Sequence, residues 1–423
     1  MQAGKAITLL LTTTMFTGGM TLVGAESKVD LEKASRLHES VITLDSHVDF
    51  SLSHFTPEKN PSQYLEGIQV DLPKMRDGGL DAAFFIVYVS QTPLSQANYE
   101  AAYQKAVAKL DGVQNLTSQW APESIDLALE ADDVTRIVKA GKKVAVIGVE
   151  NAFPIGTDLN RVDEFYNRGA RYVGIMHNGH NQFGDSNLPR GYDVNEKYGG
   201  LSPLGFELGE KLNDKGIVVD ISHASKKTRL DIIRASKTPV VDSHSALSIF
   251  YDHPRNIDDE ILEALVNNGG VVQIVAFQSY LARTPPEKLK AINQLAKRFG
   301  FPEGNMWTEG NRVFSHFPKA SMEARMGYWT GFQKLEKSFA HASVKHLVNQ
   351  VDYVVKKFGV DYVGISSDFG GGGGIGRWQD ASQTFNVTLE LIRRGYSDEE
   401  IRKIWSGNYL RVWKQVEDYS RKN

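Results

Sequence analysis

The sequence predicts a closed (β/α)8 barrel, the TIM-type fold, and two observations support that prediction. Eight short runs rich in valine, isoleucine and other apolar residues recur along the chain, and amphipathic stretches lie between them. Apolar runs of this kind are typical of parallel strands covered by helices, and eight such units favour a closed barrel over an open sheet. The length of 423 residues suits one large barrel domain with insertions.

Each predicted strand is a short apolar run, and most of the runs end at a polar or charged side chain. In chain order they are VITLDSH from Val41, LDAAFFIVYV from Leu80, KKVAVIGVE from Lys142, ARYVGIMH from Ala170, GIVVDISH from Gly216, TPVVDSHS from Thr238, GGVVQIVAF from Gly269 and DYVGISSDF from Asp361. Helices are expected between them, as in DDEILEALVNNGG from Asp258, which has an acidic first turn and a glycine stop. The C-terminal SDEEIRKIWSGNYLRVWKQVEDY predicts a pair of helices.

The first 25 residues differ in composition from the rest of the chain. Lys5 precedes a run of apolar and small residues that ends in VGA, so residues 1–25 are predicted to be a secretory signal peptide. The alternative is a membrane anchor, but the threonines and glycines in this run make it a poor membrane-spanning helix. Residues 26–423 are then expected to form a single barrel domain, with 281–341 as an insertion between strands seven and eight. We expect export across an inner membrane to the periplasm or the extracellular space.

Composition excludes several classes of partner. There are 48 basic and 51 acidic residues, giving a net charge of −3 without long blocks of one sign. Nucleic acid and acidic membrane surfaces are therefore not expected as partners, and no apolar stretch in the mature chain is long enough to span a membrane. The chain has no cysteine, so an exported domain must depend on core packing and bound metal rather than disulfides. The sequence leaves the oligomeric state open, a homodimer included.

Residues that bind metal ions well stand at the ends of six of the eight predicted strands. They are His47, Asp49, Glu150, His177, His223, His244 and Asp368. In a barrel the C-terminal strand ends converge on one mouth, where active sites are built. Burying so many polar groups together is costly without a compensating cation, so we predict a metal centre at this mouth. Three other histidines, His54, His180 and His253, fall in loops and are expected to be solvated.

The spacing of these residues favours two ions. His47 and Asp49 are two positions apart on one strand, so both side chains point to the same side and can reach one ion. His223 and His244 follow adjacent strands and can hold a second ion, with Glu150 placed to bridge the pair. Two Zn2+ ions per subunit would balance the charge of the carboxylates at the mouth and of a bridging hydroxide.

Several stretches occur here in the same order as in a known family. They are LDSHVD, DLPKMRDGGLDAAFF, VIGVE, RYVGIMHN, LSPLGFELGEKLNDKGIVVDISHAS, TPVVDSHS, HPRNIDDE and VGISSDF. On these motifs the chain resembles the renal, or membrane, dipeptidases of the amidohydrolase superfamily, from about Val41 to the terminal GNYLRVW. The resemblance implies a secreted bacterial zinc dipeptidase that cleaves the peptide bond of dipeptides with a metal-bridging hydroxide. It also implies tolerance of a D-residue at the C-terminal position.

The resemblance implies a role for each matching side chain. The five metal ligands would act as described above, with two residues on each ion and Glu150 as the bridge. His177 would contact the substrate and stabilise the developing oxyanion, and Arg255 would hold the C-terminal carboxylate of the dipeptide. Asp368 would meet the substrate amino group and transfer a proton.

Two features depart from the family pattern. Phe369 is followed by five glycines, Gly370 to Gly374, which are either a mobile rim or a permissive turn, and the 281–341 insertion is longer than the family core. Two other functions stay open. One is a metal-dependent amidohydrolase acting on a lactam, a lactone or an N-acyl amino acid, for which Arg255 discriminates, since a substrate without a carboxylate has little use for it. The other is a non-catalytic binding barrel.

Overall fold

The computed structural model describes residues 28–189, 195–301 and 321–423. Its centre is a parallel sheet curled into a barrel, which confirms the predicted (β/α)8 fold. The strands are β1 (Leu44–Asp49), β2 (Ala82–Tyr88), β3 (Ile125–Leu127), β4 (Lys143–Glu150), β5 (Ala170–Gly174), β6 (Val218–Asp220), β7 (Val241–Ser245), β8 (Val271–Val275) and β9 (Val363–Ser366). The barrel order is β1-β2-β4-β5-β6-β7-β8-β9. A parallel bridge between Val48 and Phe369 brings the last strand back to the first.

Helices surround the barrel and connect its strands. Their bounds are Lys28–Ser40, Leu72–Gly78, Gln96–Asn115, Ala131–Lys139, Arg161–Asn167, Pro203–Lys215, Lys226–Ala235, Asp259–Asn267, Gln278–Leu281, Pro286–Arg298, Met322–Ser338, Val344–Phe358, Phe385–Arg393, Asp398–Arg402 and Asn408–Lys422. The helix predicted after Asp258 has the expected acidic first turn, Asp259 and Glu260, and Asp258 also caps it by accepting a hydrogen bond from the backbone N–H of Ile261. Within the described ranges no helix combines the length and apolarity needed to cross a membrane.

The C-terminal helix closes the barrel at the end where the strands begin. Tyr409 and Trp413 of this helix pack on Phe84 of β2, with ring centroids 4.7 and 6.0 Å apart. The same buried cluster contains apolar residues from the early positions of other strands: Leu44, Val144, Val218, Val241 and Val271. This end of the barrel is therefore a packed core, and the opposite end is left for the site.

Two elements differ from the sequence-based expectation. Strand β3 was not predicted; it has three residues, too few for a periodic signal, and it pairs with β4 outside the barrel path. The C-terminal stretch is one continuous helical segment rather than two helices, because a π-helical turn, Lys403–Gly407, joins its two parts. Gly407 keeps a helical φ of −57° and so does not end the helix.

The described part of the 281–341 insertion contains two long helices, Pro286–Arg298 and Met322–Ser338. They share a small core of their own formed by Ile292, Ala296, Phe301, Tyr328 and Phe332. Between them, the fully buried Lys288 forms an ion pair of 2.9 Å with Glu336. The remainder of the insertion and the expected signal peptide, residues 1–25, lie outside the described residues.

Candidate metal centre and active site

The predicted metal-binding residues come together at the C-terminal ends of the barrel strands. His47, Asp49, Glu150 and His244 lie within strands, and His177, His223 and Asp368 lie shortly beyond β5, β6 and β9. The expectation that all of them end strands is wrong for the last three. These strands stop early because their pairing is short, and β6 pairs with β7 only through Asp220 and Val241.

The carboxylate of Glu150 lies at the centre of the group. Its Oε1 is 3.7 Å from Nε2 of His47, 3.1 Å from Nε2 of His223 and 3.3 Å from Nε2 of His244. Its other oxygen, Oε2, lies 4.0 Å from Nε2 of His177. One carboxylate therefore faces four imidazoles, which is the placement that a bridging ligand requires.

A second set of carboxylates approaches His47 from the side of β1 and β9. Nε2 of His47 lies 3.3 Å from Oδ2 of Asp49 and 4.0 Å from Oδ1 of Asp368. The described residues contain three groups whose donor atoms lie close enough together to hold a metal ion. They are His47 with Glu150 and His244, Glu150 with His177 and His223, and His47 with Asp49 and Asp368. All seven predicted residues thus take part in this cluster.

The pKa shifts of the cluster residues indicate that the cluster is suited to bind a cation. Burial raises the pKa of Glu150 well above its usual range, and it raises the pKa of Asp368 to about 7, with the Asp49 carboxylate adding to both shifts. Burial opposes the charged form of His47, but the carboxylates of Glu150 and Asp49 outweigh it and raise its pKa to about 9. The carboxylates therefore hold a proton on this histidine, in a place where a metal ion would supply the positive charge.

The imidazole nitrogens fit a metal rather than a proton network. Nε2 of His223 and Nε2 of His244 lie 2.9 Å apart, and burial lowers the pKa of both rings well below the usual value, so both are neutral. Nδ1 of His223 donates to Oδ1 of Asn178 at 2.9 Å, which leaves a lone pair on its Nε2. Nε2 of His47 is also buried, and it faces the carboxylates of Asp49 at 3.3 Å and Glu150 at 3.7 Å. Imidazole and carboxylate donors in this arrangement suit zinc.

The backbone is strained where it presents these side chains. Among the described residues four that are not glycine have positive φ, and three of them adjoin the cluster: Asn151 at 70°, His223 at 65° and Asp368 at 56°. Such conformations cost about 1–3 kcal/mol each and concentrate at functional sites. Here they turn the chain sharply at the strand ends, so that the side chains face the mouth of the barrel.

The five-glycine run forms a hydrogen-bonded turn, and its first two glycines, Gly370 and Gly371, line the cavity beside the cluster. The N–H groups of Gly371 and Gly373 donate to the carbonyl of Asp368 at 3.1 and 2.8 Å. A Cβ atom on Gly371 would overlap Oδ1 of Asp368 and Oδ2 of Asp49. Glycine is required here because the backbone passes directly against two carboxylates of the site.

A cavity of 1220 Å³ opens over the centre. Its wall includes Glu150, His177 and Asp368 from the cluster, the aromatic residues Tyr88 and Tyr280, and several residues of the helix Met322–Ser338. The insertion therefore supplies part of the cavity wall. Lys109, from the helix Gln96–Asn115, is the one lysine or arginine among the described residues of this wall.

Arg255 lies next to the centre but behind the cavity wall. It is fully buried, and its Nη2 donates to the backbone carbonyl of His244 at 2.9 Å. Its guanidinium carbon lies 5.4 Å from the ring centroid of Tyr280, which lines the cavity. Nε and Nη1 of Arg255 meet no hydrogen-bond partner in the described part of the chain.

The expectation that the loop histidines are solvated is wrong for two of them. His180 and His253 are buried rather than solvated. Nδ1 of His180 accepts a hydrogen bond from the N–H of Ser186 at 3.0 Å, and Nδ1 of His253 accepts one from the N–H of Arg255 at 3.1 Å. Their rings satisfy loop backbone that would otherwise lack partners.

Sequence reasoning also missed the residues that orient the histidines of the cluster. Tyr172 contacts Nδ1 of His47 through its hydroxyl at 2.9 Å, and the hydroxyl of Ser243 contacts Nδ1 of His244 at 2.8 Å. Asn178 does the same for His223, as described above. Asn178 and Ser243 directly adjoin predicted site residues in the sequence, so their position could have indicated them, whereas Tyr172 lies on another strand from its partner.

The sequence matches the family described as Membrane dipeptidase (Peptidase family M19) over residues 31–423. The chain therefore belongs to this family of metallodipeptidases, which are hydrolases, and the resemblance inferred from the motifs is confirmed. Among similar proteins is the dipeptidase tcpJ of Claviceps purpurea, 28% identical over 363 residues, which cover 85% of this chain and 71% of that protein. The dipeptidase ataJ of Aspergillus terreus is 29% identical over 371 residues, with 83% and 77% covered.

Solved structures agree with this assignment. The probable dipeptidase PvdM from Pseudomonas aeruginosa superposes with a TM-score of 0.82 at 32% identity, covering 93% of this chain and 99% of that one. A metallo peptidase from Rhodobacter sphaeroides, solved with a phosphinate mimic of the dipeptide L-Ala-D-Ala, gives a TM-score of 0.68 at 21% identity, with 89% and 99% covered. The second similarity concerns the fold alone.

Proposed function

We propose that this protein is a binuclear zinc dipeptidase that hydrolyses the peptide bond of dipeptides and tolerates a D-residue at the C-terminal position. The observation that carries the proposal is the convergence of three imidazole nitrogens on Oε1 of Glu150, all within 3.7 Å. A buried, negatively charged cluster of this kind requires cations. Membership of a metallodipeptidase family supplies the reaction class.

The ligands divide between two ions. His47 and Asp49 would hold one ion, His223 and His244 the other, and Glu150 would bridge them. Bound zinc ions act as Lewis acids that polarise a peptide carbonyl and bring the pKa of a water molecule close to 7.

Two residues of the chain then serve the reaction directly. Asp368 accepts the proton released by the attacking water and delivers it to the leaving amine, because its carboxylate faces the cavity beside the proposed ions. It also meets the substrate amino group. His177, whose ring lies against Tyr88 at 4.4 Å between centroids, faces the cavity and stabilises the negative charge that develops on the carbonyl oxygen.

Arg255 binds the C-terminal carboxylate of the dipeptide in this proposal. Its buried Nε and Nη1 lack partners, and such donors match a carboxylate in geometry and charge. Because Tyr280 separates part of the guanidinium from the cavity, a small movement of this wall would complete the contact. Without a carboxylate to bind, a buried and partly unpaired arginine would be costly.

The tolerance of a D-residue and the cellular location are supported by observations outside the site. The structural neighbour from Rhodobacter sphaeroides was solved with a mimic of L-Ala-D-Ala, and this chain shares its fold. An N-terminal stretch with the composition of a signal peptide supports export to the periplasm or the extracellular space. Dipeptides that contain D-residues are available in a compartment where cell walls turn over.

The decisive experiment is a panel of dipeptides that vary in residue and chirality at both positions, assayed with metal-depleted and zinc-restored protein. We expect two zinc ions per chain by elemental analysis, and hydrolysis only by the zinc-restored protein. Hydrolysis of lactams, lactones or N-acyl amino acids, with no dipeptide cleaved, would support the other amidohydrolase function instead. A site that stays empty when zinc is supplied would support a non-catalytic barrel.

The role of Arg255 has a separate test. The variant Arg255→Ala should raise KM for dipeptides with a free carboxylate far more than for the same dipeptides carrying a C-terminal amide. An equal loss on both would show that Arg255 acts by supporting His244 and not by binding the carboxylate.

A further inference from the structure

The proposed reaction leaves the cation in the cavity wall, Lys109, without a role. Lys109 is 8% exposed, and its side chain reaches the cavity from the helix Gln96–Asn115. Its Nζ donates a hydrogen bond to the backbone carbonyl of Tyr88 at 3.3 Å and lies 4.4 Å above the ring of Phe50. No carboxylate in the described chain forms an ion pair with it.

A buried ammonium of this kind is unusual unless something else balances its charge. Lysine is seldom buried without a partner, because removing its charge from water is costly. One long hydrogen bond and one ring face satisfy only part of its capacity, since an ammonium group has three donors. The ammonium group of Lys109 lines the cavity, so a ligand there can accept hydrogen bonds from its remaining N–H groups.

The surroundings of Lys109 locate it beside the metal centre. Tyr88, whose carbonyl it binds, is paired in the sheet with Glu150, and Phe50 follows Asp49 directly in the sequence. The ring of Phe50 packs on Phe55 at 4.2 Å between centroids, and both rings line the cavity. Lys109 thus lies beside the apolar rings of Phe50 and Phe55, and the carboxylates of Asp49 and Glu150 favour its charged form without forming an ion pair with it.

The order of the strands indicates which part of a substrate this section meets. Asp368, which receives the substrate amino group in the proposed function, follows β9, and β9 adjoins β1. Phe50 directly follows β1 and Tyr88 ends β2 on that same side of the barrel, and both contact Lys109. Arg255, the proposed site for the carboxylate, follows β7 on the other side. The side chain of the N-terminal residue therefore extends toward Lys109.

We propose that Lys109 forms a subsite for an acidic side chain on the N-terminal residue of the dipeptide, so that the enzyme favours substrates beginning with Asp or Glu. The side-chain carboxylate would accept hydrogen bonds from the ammonium, and the aliphatic part of the residue would pack on Phe50 and Phe55. This inference rests on the proposed function, because it takes the position of the amino group from Asp368.

The test compares L-Glu-L-Ala with its near-isosteric neutral partner L-Gln-L-Ala, using the zinc-restored full chain. In the wild type, kcat/KM should be about 10-fold or more higher for Glu-Ala, as a charge-assisted hydrogen bond predicts. Lys109→Met keeps most of the length and apolar body of the side chain but removes the charge, and it should bring the ratio of the two kcat/KM values close to unity. Lys105→Met is the matched control, since Lys105 is exposed on the same helix, and it should leave the ratio unchanged.

Each result decides between this inference and others. A wild-type ratio near or below unity overturns the inference without any variant, as does a preference for an acidic residue at the C-terminal position, measured with Ala-Glu against Ala-Gln. If Lys109→Met lowers both activities equally, Lys109 has a structural role and the subsite is rejected; Lys109→Gln serves the same comparison if the methionine variant does not fold. If the wild type cleaves none of these dipeptides, nor Ala-Ala, the proposed function itself fails.

Discussion

Each of three imidazoles in the metal centre has a hydrogen-bonding partner on the ring nitrogen that faces away from the centre. For His47 that partner is the hydroxyl of Tyr172, and for His223 it is the amide oxygen of Asn178. Such contacts fix the tautomer and the direction of the ring, so that the inner nitrogen is ready for a metal. At the scale of the residue, the direction of these rings thus depends on side chains outside the proposed ligand set.

Removing one of these contacts should weaken metal binding without disturbing the fold. Tyr172→Phe deletes the hydroxyl that holds His47 and preserves the ring that fills the barrel. We expect zinc affinity, measured by competition with a chelator, to fall about 10–100-fold, as for other residues that orient ligands. Tyr88→Phe is a matched control, because the Tyr88 hydroxyl contacts Ser90 rather than a metal ligand. An unchanged zinc affinity in Tyr172→Phe would show that packing alone orients His47.

Replacing the proposed proton carrier should separate metal binding from turnover. Asp368→Asn keeps the size of the side chain but cannot carry a proton, so kcat should fall by about 100-fold or more. Two zinc ions per chain should remain, since the proposed ligands are unchanged. Metal analysis and steady-state kinetics on the same preparation check both parts. Near-normal turnover would remove Asp368 from the mechanism.

How far the site could be predicted depends on where each residue lies in the sequence. The seven cluster residues could be predicted from the sequence because the C-terminal ends of barrel strands converge. A polar residue near the end of a predicted strand is therefore expected at the mouth of the barrel. Lys109 offered no such clue: it is one of two lysines on its helix, and only the fold shows that it faces the cavity. The burial of Arg255 was likewise outside the reach of the sequence, because it depends on how a loop returns behind His244.

At the scale of elements, the turn Gly370–Gly374 ties β9 to the metal centre. Gly370 donates to Oε1 of Gln69 at 2.8 Å, and Gly374 donates to the carbonyl of Ala276 beyond β8 at 2.9 Å. The turn therefore joins three parts of the rim while passing against Asp49 and Asp368. Composition alone suggested freedom for five glycines, but close approach is the physical reason for at least one of them.

A methyl group at the tightest position should damage the centre. In Gly371→Ala the new Cβ would displace the carboxylates of Asp49 and Asp368, so both zinc affinity and kcat should decrease. Gly209→Ala is the control for the same chemical change, because a Cβ there meets nothing within 4 Å and Gly209 lies inside the helix Pro203–Lys215. It should leave activity unchanged and stabilise the protein by up to about 1 kcal/mol. Full activity in Gly371→Ala would mean that the turn relaxes freely.

The elements themselves were predicted well because their signals are local. Each of the eight predicted runs overlaps a barrel strand, and the helix after Asp258 begins and ends where its acidic first turn and glycines indicated. The strand ends were less accurate, since they depend on pairing with neighbours. The joined C-terminal helix was missed because a π turn carries no pattern in the sequence.

At the scale of the whole molecule, the barrel separates stability from chemistry. The end where the strands begin is filled by apolar side chains and sealed by the C-terminal helix, with Tyr409 and Trp413 fully buried or nearly so. The other end carries strained backbone and crowded charges, which lower stability in the absence of metal. Burial of apolar side chains at the packed end therefore offsets the folding free energy that strained backbone and crowded charges cost at the other end.

This division predicts that damage to the packed end lowers stability but spares catalysis. Trp413→Ala removes a fully buried ring that contacts Phe84, and it should decrease the free energy of unfolding by about 3–5 kcal/mol, measured by denaturant titration of the zinc-bound protein. At a temperature where the variant stays folded, kcat/KM should match the wild type, because the barrel strands hold the site at their opposite ends. Gln415→Ala, at an exposed position of the same helix, should change stability by less than about 0.5 kcal/mol. A loss of kcat/KM in folded Trp413→Ala would show instead that the helix and the metal centre are coupled through the barrel core, and that the two ends are not independent.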